Sequence, residues 1–172
     1  LLYIFYELLR RRPASGLLLI GTGHPEVLDA TRAQADALGI GDKVRFLGVR
    51  QDVDKLMQAM DLFLLPSLYE GFPVVAVEAQ CAGLPCLISD TVTAEAGLLA
   101  STRYLSLRGS PAWGAGGARE RSAMAYARED AAPAIAAAGY DAAAGAAELE
   151  QFYLDSAAYP AAAGIPQSQK GI

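Results

Sequence analysis

Short apolar runs separated by amphipathic stretches recur along the chain from its start to about residue 105. A continuous apolar run of about four residues is typical of a strand that is buried on both faces of a sheet. The predicted strands are Leu17–Ile20, Val44–Leu47, Leu62–Leu65, Cys86–Ile88 and Tyr104–Leu105. Leu17–Ile20 and Leu62–Leu65 are therefore predicted to be buried strands.

The stretches between these runs predict helices. Apolar residues from Leu1 to Leu9 recur at helical spacing, and Pro13 ends that pattern. Further helices are predicted over 25–38, 52–60, 73–83 and around 149–153. Asp52 is a candidate N-cap for the second of these four, and Pro73 suits the first turn of the third.

Strand and helix thus alternate about every 20 residues, which predicts right-handed βαβ units. The expected fold is α/β, a Rossmann-like parallel sheet with helices on both faces. In such a sheet the ligand lies beyond the carboxyl ends of the strands, here the loops at Gly21, Gly48, Pro66 and Ser89. One domain is expected over 1–156. Residues 157–172, with two Pro and two Gly, are expected to form a disordered tail.

Charge and cysteine content narrow the function classes. The net charge of −5 argues against a nucleic-acid partner, because phosphate contacts need clustered cations. The short cluster Arg10–Arg12 predicts a solvated helix end, with peripheral membrane contact as the alternative. Cys81 and Cys86 have no His or Cys partner at zinc spacing, which predicts reduced thiols in a cytoplasmic protein. No apolar stretch reaches the roughly 20 residues of a membrane span.

Two carboxylates on either side of a predicted helix start are the strongest candidates for chemistry. Glu70 lies in the loop before the helix, and Glu78 lies inside it. Between them, Gly71 allows close approach of the backbone, and the first-turn N–H groups of Val74 and Val75 are expected to be free to bind an anion. A carboxylate accepts hydrogen bonds from two vicinal hydroxyls. These groups together suit a sugar diphosphate ligand. The alternative interpretation is that both glutamates are ordinary solvent-facing charges.

Weaker signals lie at the other strand ends. The stretch Gly21–His24 resembles a dinucleotide fingerprint, but Glu26 stands in place of its third glycine, so a tight turn is the favoured interpretation. His24 is the single histidine and is read as a turn residue rather than a base. Backbone groups of Gly48 to Arg50 are placed to read a nucleobase, with the Arg50 side chain meeting phosphate or simply solvent.

Tyr69 and Phe72 flank Glu70 and predict either the lining of a sugar pocket or core packing. No Ser has a nucleophile-elbow context, and no cluster with metal-ligand spacing is visible in the sequence.

The segments over 44–52 and 56–85 closely resemble the C-terminal domain of GT-B glycosyltransferases. Among these they are most similar to the retaining "group 1" enzymes that build capsular polysaccharides and exopolysaccharides. The run Pro66-Ser-Leu-Tyr-Glu-Gly-Phe-Pro73 carries the resemblance, and Glu70 and Glu78 fall on that family's E-x7-E motif. The helix from Leu1, the Gly21 loop and the segment 139–153 also follow in the family's order.

The resemblance implies a role for each matching residue. Glu70 would contact the donor sugar and act as the catalytic residue, and Glu78 would bind the ribose hydroxyls. The loop Gly48, Val49 and Arg50 would lie near the base. The residues expected to meet sugar hydroxyls and phosphate are Gly71, Phe72, Pro73, Val74 and Val75.

The resemblance also implies a donor, an acceptor and an incomplete enzyme. The donor would be a UDP- or GDP-linked sugar, transferred as a hexose without a bound metal or other cofactor. A glycan or lipid-linked acceptor would be held by an N-terminal domain that this chain lacks, and the diphosphate-clamping Arg and Lys would lie upstream of Leu1. The chain is therefore expected to be the donor-binding half of the enzyme, inactive alone and located in the cytoplasm or at the inner face of the membrane.

Two other functions share these features. One is a nucleotide-sugar epimerase of the same fold, and the other is a non-catalytic binding or interaction module derived from it.

Overall fold

Strands and helices alternate along the part of the chain that the computed structural model describes, which is residues 1–108, 113 and 130–157. The strands are β1 (Leu17–Ile20), β2 (Val44–Gly48), β3 (Phe63–Leu65), β4 (Cys86–Ser89) and β5 (Thr102–Leu105). The helices are α1 (Leu2–Leu9), α2 (Pro25–Ala37), α3 (Val53–Ala59), α4 (Val74–Cys81), α5 (Ala132–Ala137) and α6 (Ala142–Ala157). The predicted α/β class and all five predicted strands are confirmed.

The strands pair in parallel, as predicted, but they form two hydrogen-bonded groups rather than one continuous sheet. β1 pairs with β2, and β3, β4 and β5 pair in that order. Among the described residues no ladder joins β1 to β3. The expectation of a single sheet is corrected in this respect, because a groove lined by both strands separates them.

β4 is the strand that carries helices on both of its faces. Cys86 and Ile88 belong to a buried cluster that includes Ala76 and Ala79 of α4. Leu87 points to the opposite face, where it packs with Trp113 and with residues of α1. All four residues of β4 are buried, which confirms helices on both faces.

β1 and β3 are less buried than their apolar sequences predict. Leu18 is 36% exposed, and every residue of β3 is only half-buried. Both strands border the groove, so their outer edges and some of their side chains lack a neighbouring strand. The burial of β1 and β3 on both faces is therefore not observed.

The helix ends follow the sequence, with two corrections. Gly39 takes the left-handed conformation (φ 68°) just after α2, as a helix-ending glycine should. Asp52 occupies the N-cap position of α3, but its side chain makes no capping hydrogen bond, since the carboxylate binds Arg50 instead. Pro73 is the N-cap of α4 and lies just before the helix rather than in its first turn.

The structure also bears on the predictions made for the cysteines, for membrane spans and for the last helix. Cys86 is buried, Cys81 is half-buried, and neither forms a disulfide. Within the described part of the chain, no helix combines the length and the apolar character needed to cross a bilayer. The apolar edge predicted on the last helix is exposed at Leu149, Phe152 and Tyr153. The predicted helix start at 110–111 and the predicted tail, apart from residue 157, lie outside the described residues.

The buried side chain of Gln80 ties α4 to the segment between β4 and β5. Its amide nitrogen donates to the carbonyl oxygens of Ala76 at 2.9 Å and Ala96 at 2.6 Å. Its amide oxygen accepts from the backbone N–H groups of Leu98 at 2.8 Å and Leu99 at 2.9 Å. One fully buried polar side chain therefore provides hydrogen-bond partners for several backbone groups in the segment between β4 and β5.

Replacing Gln80 by leucine should lower the free energy of unfolding by about 2–3 kcal/mol, because it leaves buried backbone groups without partners. Urea unfolding followed by circular dichroism measures the change. Gln34→Leu on the exposed face of α2 is the matched control and should change the free energy by less than about 0.5 kcal/mol. An equal, small effect of both substitutions would contradict the role given to Gln80.

Candidate functional site

The carboxyl ends of β1 and β2 are joined to each other by their glycines. The N–H of Gly21 donates to the carbonyl oxygen of Gly48 at 2.8 Å. Gly48 has a left-handed backbone (φ 65°), and the pairing register shifts between Leu19 and Ile20. A side chain at position 48 would be strained there. The turn after Gly48 therefore starts at this edge of the sheet, next to the Gly21 loop.

Arg50 follows this turn and is held by Asp52. Its Nε and Nη2 donate to the two carboxylate oxygens of Asp52 at 2.8 and 2.7 Å. The hydrogen bonds raise the pKa of Arg50 and lower the pKa of Asp52 from their ordinary values. The guanidinium is thus fully charged and oriented, although it lies at the surface and shares its charge with a carboxylate.

The loop that carries Glu70 is fixed by hydroxyl groups. Ser67 Oγ donates to Glu70 Oε1 at 2.6 Å. The carbonyl oxygen of Ser67 in turn accepts from Ser89 Oγ and, at 2.8 Å, from Thr91 Oγ1. Ser89 is the last residue of β4 and is fully buried. The end of the central strand therefore positions the Glu70 carboxylate through the Ser67 backbone.

The start of α4 offers fewer free N–H groups than predicted. The N–H of Val74 donates to the carbonyl oxygen of Phe72 at 3.1 Å, and that of Ala76 donates to Pro73 at 2.9 Å. The expectation of a free Val74 amide is wrong, because the turn at Pro73 (ψ 87°) folds the chain back on itself. The N–H of Val75 has no protein acceptor among the described residues.

Glu78 lies in the second turn of α4, with its side chain exposed to the groove between the two groups of strands. The groove has a volume of about 1200 Å³. At this end its lining includes Gly21, Val49, Arg50 and Val75 as well as Glu78. Four sequence-predicted site residues (49, 50, 75 and 78) thus line the same groove, two from one loop and two from one helix.

The other predicted site residues do not line the groove. These are Glu70, Gly71, Phe72, Pro73, Val74 and Gly48. Gly48 contributes to the groove indirectly, through the Gly21 hydrogen bond described above. The remaining five precede or begin α4, so they reach the same edge of the sheet from the Ser67 loop.

Phe72 stacks on Tyr140, a contact that the sequence does not reveal. The ring centroids are 5.7 Å apart and the ring planes differ by 7°. Tyr140 lies in the turn between α5 and α6, directly after Gly139, whose φ is 92°. Tyr69, by contrast, is 86% exposed, so core packing is excluded for it. The one signal for Tyr140 in the sequence is its place after a glycine between two Ala-rich stretches.

Ser89 and Thr91, at and just after the end of β4, contribute to the site although the sequence does not predict this. Ser89 and Thr91 act on Glu70 only through the main chain of Ser67, and the spacing of residues in the sequence does not indicate such a contact.

Among the described residues no three His, Cys, Asp or Glu side chains lie close enough to hold a metal ion. The arrangement combines a carboxylate, a guanidinium and an unpaired amide, which together suit a ligand that carries both hydroxyls and an anion.

Comparison with known proteins matches the chain to glycosyltransferases. The family model for "Glycosyl transferases group 1" matches residues 1–102. The chain is 45% identical over 101 residues to the glycosyltransferase EpsF of Bacillus subtilis (strain 168), covering 58% of this chain and 26% of EpsF. It is 36% identical over 80 residues to an Escherichia coli protein named UDP-Gal:alpha-D-GlcNAc-diphosphoundecaprenol alpha-1,3-galactosyltransferase, covering 45% of this chain and 20% of that protein.

Solved structures agree with the fold. WaaG, described as a glycosyltransferase involved in lipopolysaccharide biosynthesis, superposes with a TM-score of 0.63 at 26% identity over 82% of this chain and 38% of WaaG. HepE of Anabaena, solved in complex with UDP, gives a TM-score of 0.70 at 23% identity over 89% of this chain and 44% of HepE. The matched regions thus span about a quarter of EpsF and less than half of each solved structure.

Substituting Tyr140 by alanine should loosen the segment before α4. We expect faster amide exchange over 71–75 and a loss of about 0.5–1.5 kcal/mol of unfolding free energy, because the ring stack is removed. Hydrogen exchange read by mass spectrometry measures the first effect and urea unfolding the second. Tyr140→Phe keeps the ring and should leave both unchanged. Tyr69→Ala, at an exposed aromatic of the same loop, is the control. Slow exchange over 71–75 in Tyr140→Ala would show that the stack does not hold this loop.

Proposed function

We propose that this chain, which belongs to the glycosyl transferases group 1 family, binds the nucleotide-sugar donor of a retaining GT-B hexosyltransferase. The observation that carries the proposal is that Glu78, Arg50 and Val75 line one groove. These groups come from separate parts of the chain and converge at the carboxyl edge of parallel strands, where α/β sheets bind their ligands.

Each group supplies a different part of the recognition. The Glu78 carboxylate accepts hydrogen bonds from the two ribose hydroxyls. The free Val75 N–H at the start of α4 and the oriented guanidinium of Arg50 favour the negative diphosphate. The turn from Gly48 to Val49 presents backbone groups to the base. Arg50 keeps Asp52 as its counter-ion, so its pull on the diphosphate is partial.

Glu70 is the proposed contact to the donor sugar and the catalytic residue. Its Oε1 is occupied by Ser67, whereas its Oε2 has no partner among the described residues. One carboxylate oxygen is therefore held in place while the other is available to sugar hydroxyls. The segment from Gly71 to Val74 adds the remaining contacts to sugar and phosphate, and the Phe72–Tyr140 stack holds it in place.

The proposed donor-binding unit is one part of a larger enzyme. The matched regions span 26% of EpsF and 38–44% of the solved structures, which suits one part of a longer enzyme, here proposed to be its C-terminal, donor-binding half. An N-terminal domain would hold a glycan or lipid-linked acceptor and complete the diphosphate site. The chain alone is expected to bind the donor weakly and to transfer no sugar. Sugar transfer by the 172-residue chain would contradict this division of labour.

The proposed process is the synthesis of capsular polysaccharide or exopolysaccharide in the cytoplasm, at the inner face of the membrane and without a bound metal. Support comes from a relative: the chain is 37% identical over 79 residues to the Vi polysaccharide biosynthesis protein VipC/TviE of Salmonella typhi, covering 46% of this chain and 13% of that protein. UDP is the first nucleotide to test, since the E. coli relative is named for UDP-Gal.

Calorimetric titration with UDP tests the proposal. We expect binding in the micromolar to millimolar range, with Glu78→Ala lowering the affinity about ten- to a hundredfold because a hydrogen bond to a charged group is lost. Glu148→Ala, which removes an exposed glutamate from α6, is the matched control and should leave the affinity unchanged.

The alternatives give other results. An interaction module would bind neither UDP nor GDP even at millimolar concentration. Equal affinity of the wild-type chain and Glu78→Ala would remove Glu78 from the ribose role. Interconversion of UDP-sugar epimers by the chain would favour an epimerase.

A further inference from the structure

The loop between β3 and α4 turns its polar side chains inward and its apolar side chains outward. Ser67 and Glu70 are half-buried, whereas Leu68 and Tyr69, which lie between them, are 80% and 86% exposed. Because burial of apolar surface stabilises a fold, packing alone would favour the opposite arrangement. Another interaction therefore sets the direction of the side chains in this loop.

Hydrogen bonds to both the side chain and the main chain of Ser67 account for this arrangement. Its Oγ donates to Glu70 Oε1 at 2.6 Å. Its carbonyl oxygen accepts from Ser89 Oγ and, at 2.8 Å, from Thr91 Oγ1, and these two hydroxyl oxygens lie 3.1 Å apart. Ser67 is thus attached to the end of β4 by its main chain and to Glu70 by its side chain.

The Glu70 carboxylate has little else to hold it in place. Among the described residues it forms no ion pair, and its one hydrogen bond comes from Ser67. A half-buried carboxylate is costly unless it is well hydrogen-bonded, so Oε2 retains unused capacity as an acceptor. A side chain built at the adjacent Gly71 would meet open space, so the main chain beside the carboxylate is accessible to a ligand.

A fixed carboxylate and a rotating one select ligands differently. A rotating carboxylate presents either oxygen and can follow a sugar hydroxyl in several directions. A carboxylate held through one oxygen offers the other oxygen in a single direction. Hexose epimers differ in the direction of one hydroxyl, and a site built to bind a hydroxyl discriminates against a ligand that does not present it there.

We propose that Ser67 is a positioning residue that sets which hexose the donor site accepts, by fixing the direction of Glu70 Oε2. Glu70 touches the sugar, and Ser67 acts through it. Ser89 and Thr91 support Ser67 through its carbonyl oxygen. The proposal rests on the proposed function, in which Glu70 contacts the donor sugar, and adds to it the residue that determines the choice among sugars.

Titrations of the nitrogen-15-labelled chain with UDP, UDP-glucose and UDP-galactose test the proposal. The ratio of the dissociation constants for UDP and for a UDP-sugar measures what the sugar contributes to binding. The ratio of the dissociation constants for the two UDP-sugars measures the selectivity. Because each ratio is taken within one variant, a change in nucleotide affinity that is common to all three ligands does not alter it.

The wild-type chain should bind one of the two UDP-sugars about tenfold more tightly than the other, as expected for one hydrogen bond to a charged group. Ser67→Ala should reduce this selectivity to about twofold or less, because Glu70 is then free to turn. Ser67→Thr keeps the hydroxyl and should retain the selectivity. Ser101→Ala is the matched control and should also retain it, since the buried Ser101 Oγ has no hydrogen-bond partner among the described residues.

Thr91→Val is a second variant, at an exposed position that the fold tolerates. It removes one of the two hydroxyls that bind the Ser67 carbonyl oxygen and leaves Ser67 itself unchanged. The selectivity should fall about two- to threefold, which is less than in Ser67→Ala because Ser89 remains in place. If Ser67→Ala does not fold, unchanged selectivity in Thr91→Val would overturn the proposal.

Two further results would overturn the proposal. One is equal selectivity in the wild-type chain and Ser67→Ala, and the other is a wild-type chain that does not distinguish the two UDP-sugars. In both cases, UDP binding that depends on Glu78 would leave the proposed function intact. Absence of UDP binding by the wild-type chain would overturn the proposed function and the role of Ser67 together.

Discussion

Burial of β4 on both faces is the constraint on which the rest of the structure depends. Its alternate side chains pack α4 on one face and, around Leu87, α1 and Trp113 on the other. Its last residue, Ser89, is held at the carboxyl edge and binds the main chain of Ser67. The strand that organises the core thereby also places the loop that carries Glu70.

The same edge of the sheet gathers the other candidate groups by independent means. Gly21 and Gly48 join the ends of β1 and β2, which brings Arg50 to the groove. Glu78 reaches it from α4, whose far side is tied to the Ala94–Ala96 turn by Gln80. The candidate groups therefore come from more than one loop and from a helix.

Much of this could be predicted from the sequence because it depends on local pattern. Apolar runs located the five strands, and Gly39 marked the end of α2. The position of Glu78 followed from the motif. The bond between Arg50 and Asp52 could not be predicted, since it competes with a helix cap that uses the same carboxylate. Likewise, the stack of Phe72 on Tyr140 joins segments far apart in the chain.

The break between β1 and β3 also could not be predicted, because apolar runs report a strand's intrinsic character and not its neighbours. Leu17–Ile20 has the apolar sequence of a strand buried on both faces, but among the described residues it pairs with β2 alone. Its sequence and its observed exposure disagree for that reason.

The proposed function requires that a nucleoside diphosphate binds at the Glu78 end of the groove. Titrating the nitrogen-15-labelled chain with UDP and following its amide resonances tests this most directly. We expect the largest shifts at Gly21, Val49, Arg50, Val75 and Glu78, which line the groove. Shifts confined to other surfaces, such as the exposed face of α6, or no shifts at millimolar UDP would contradict it.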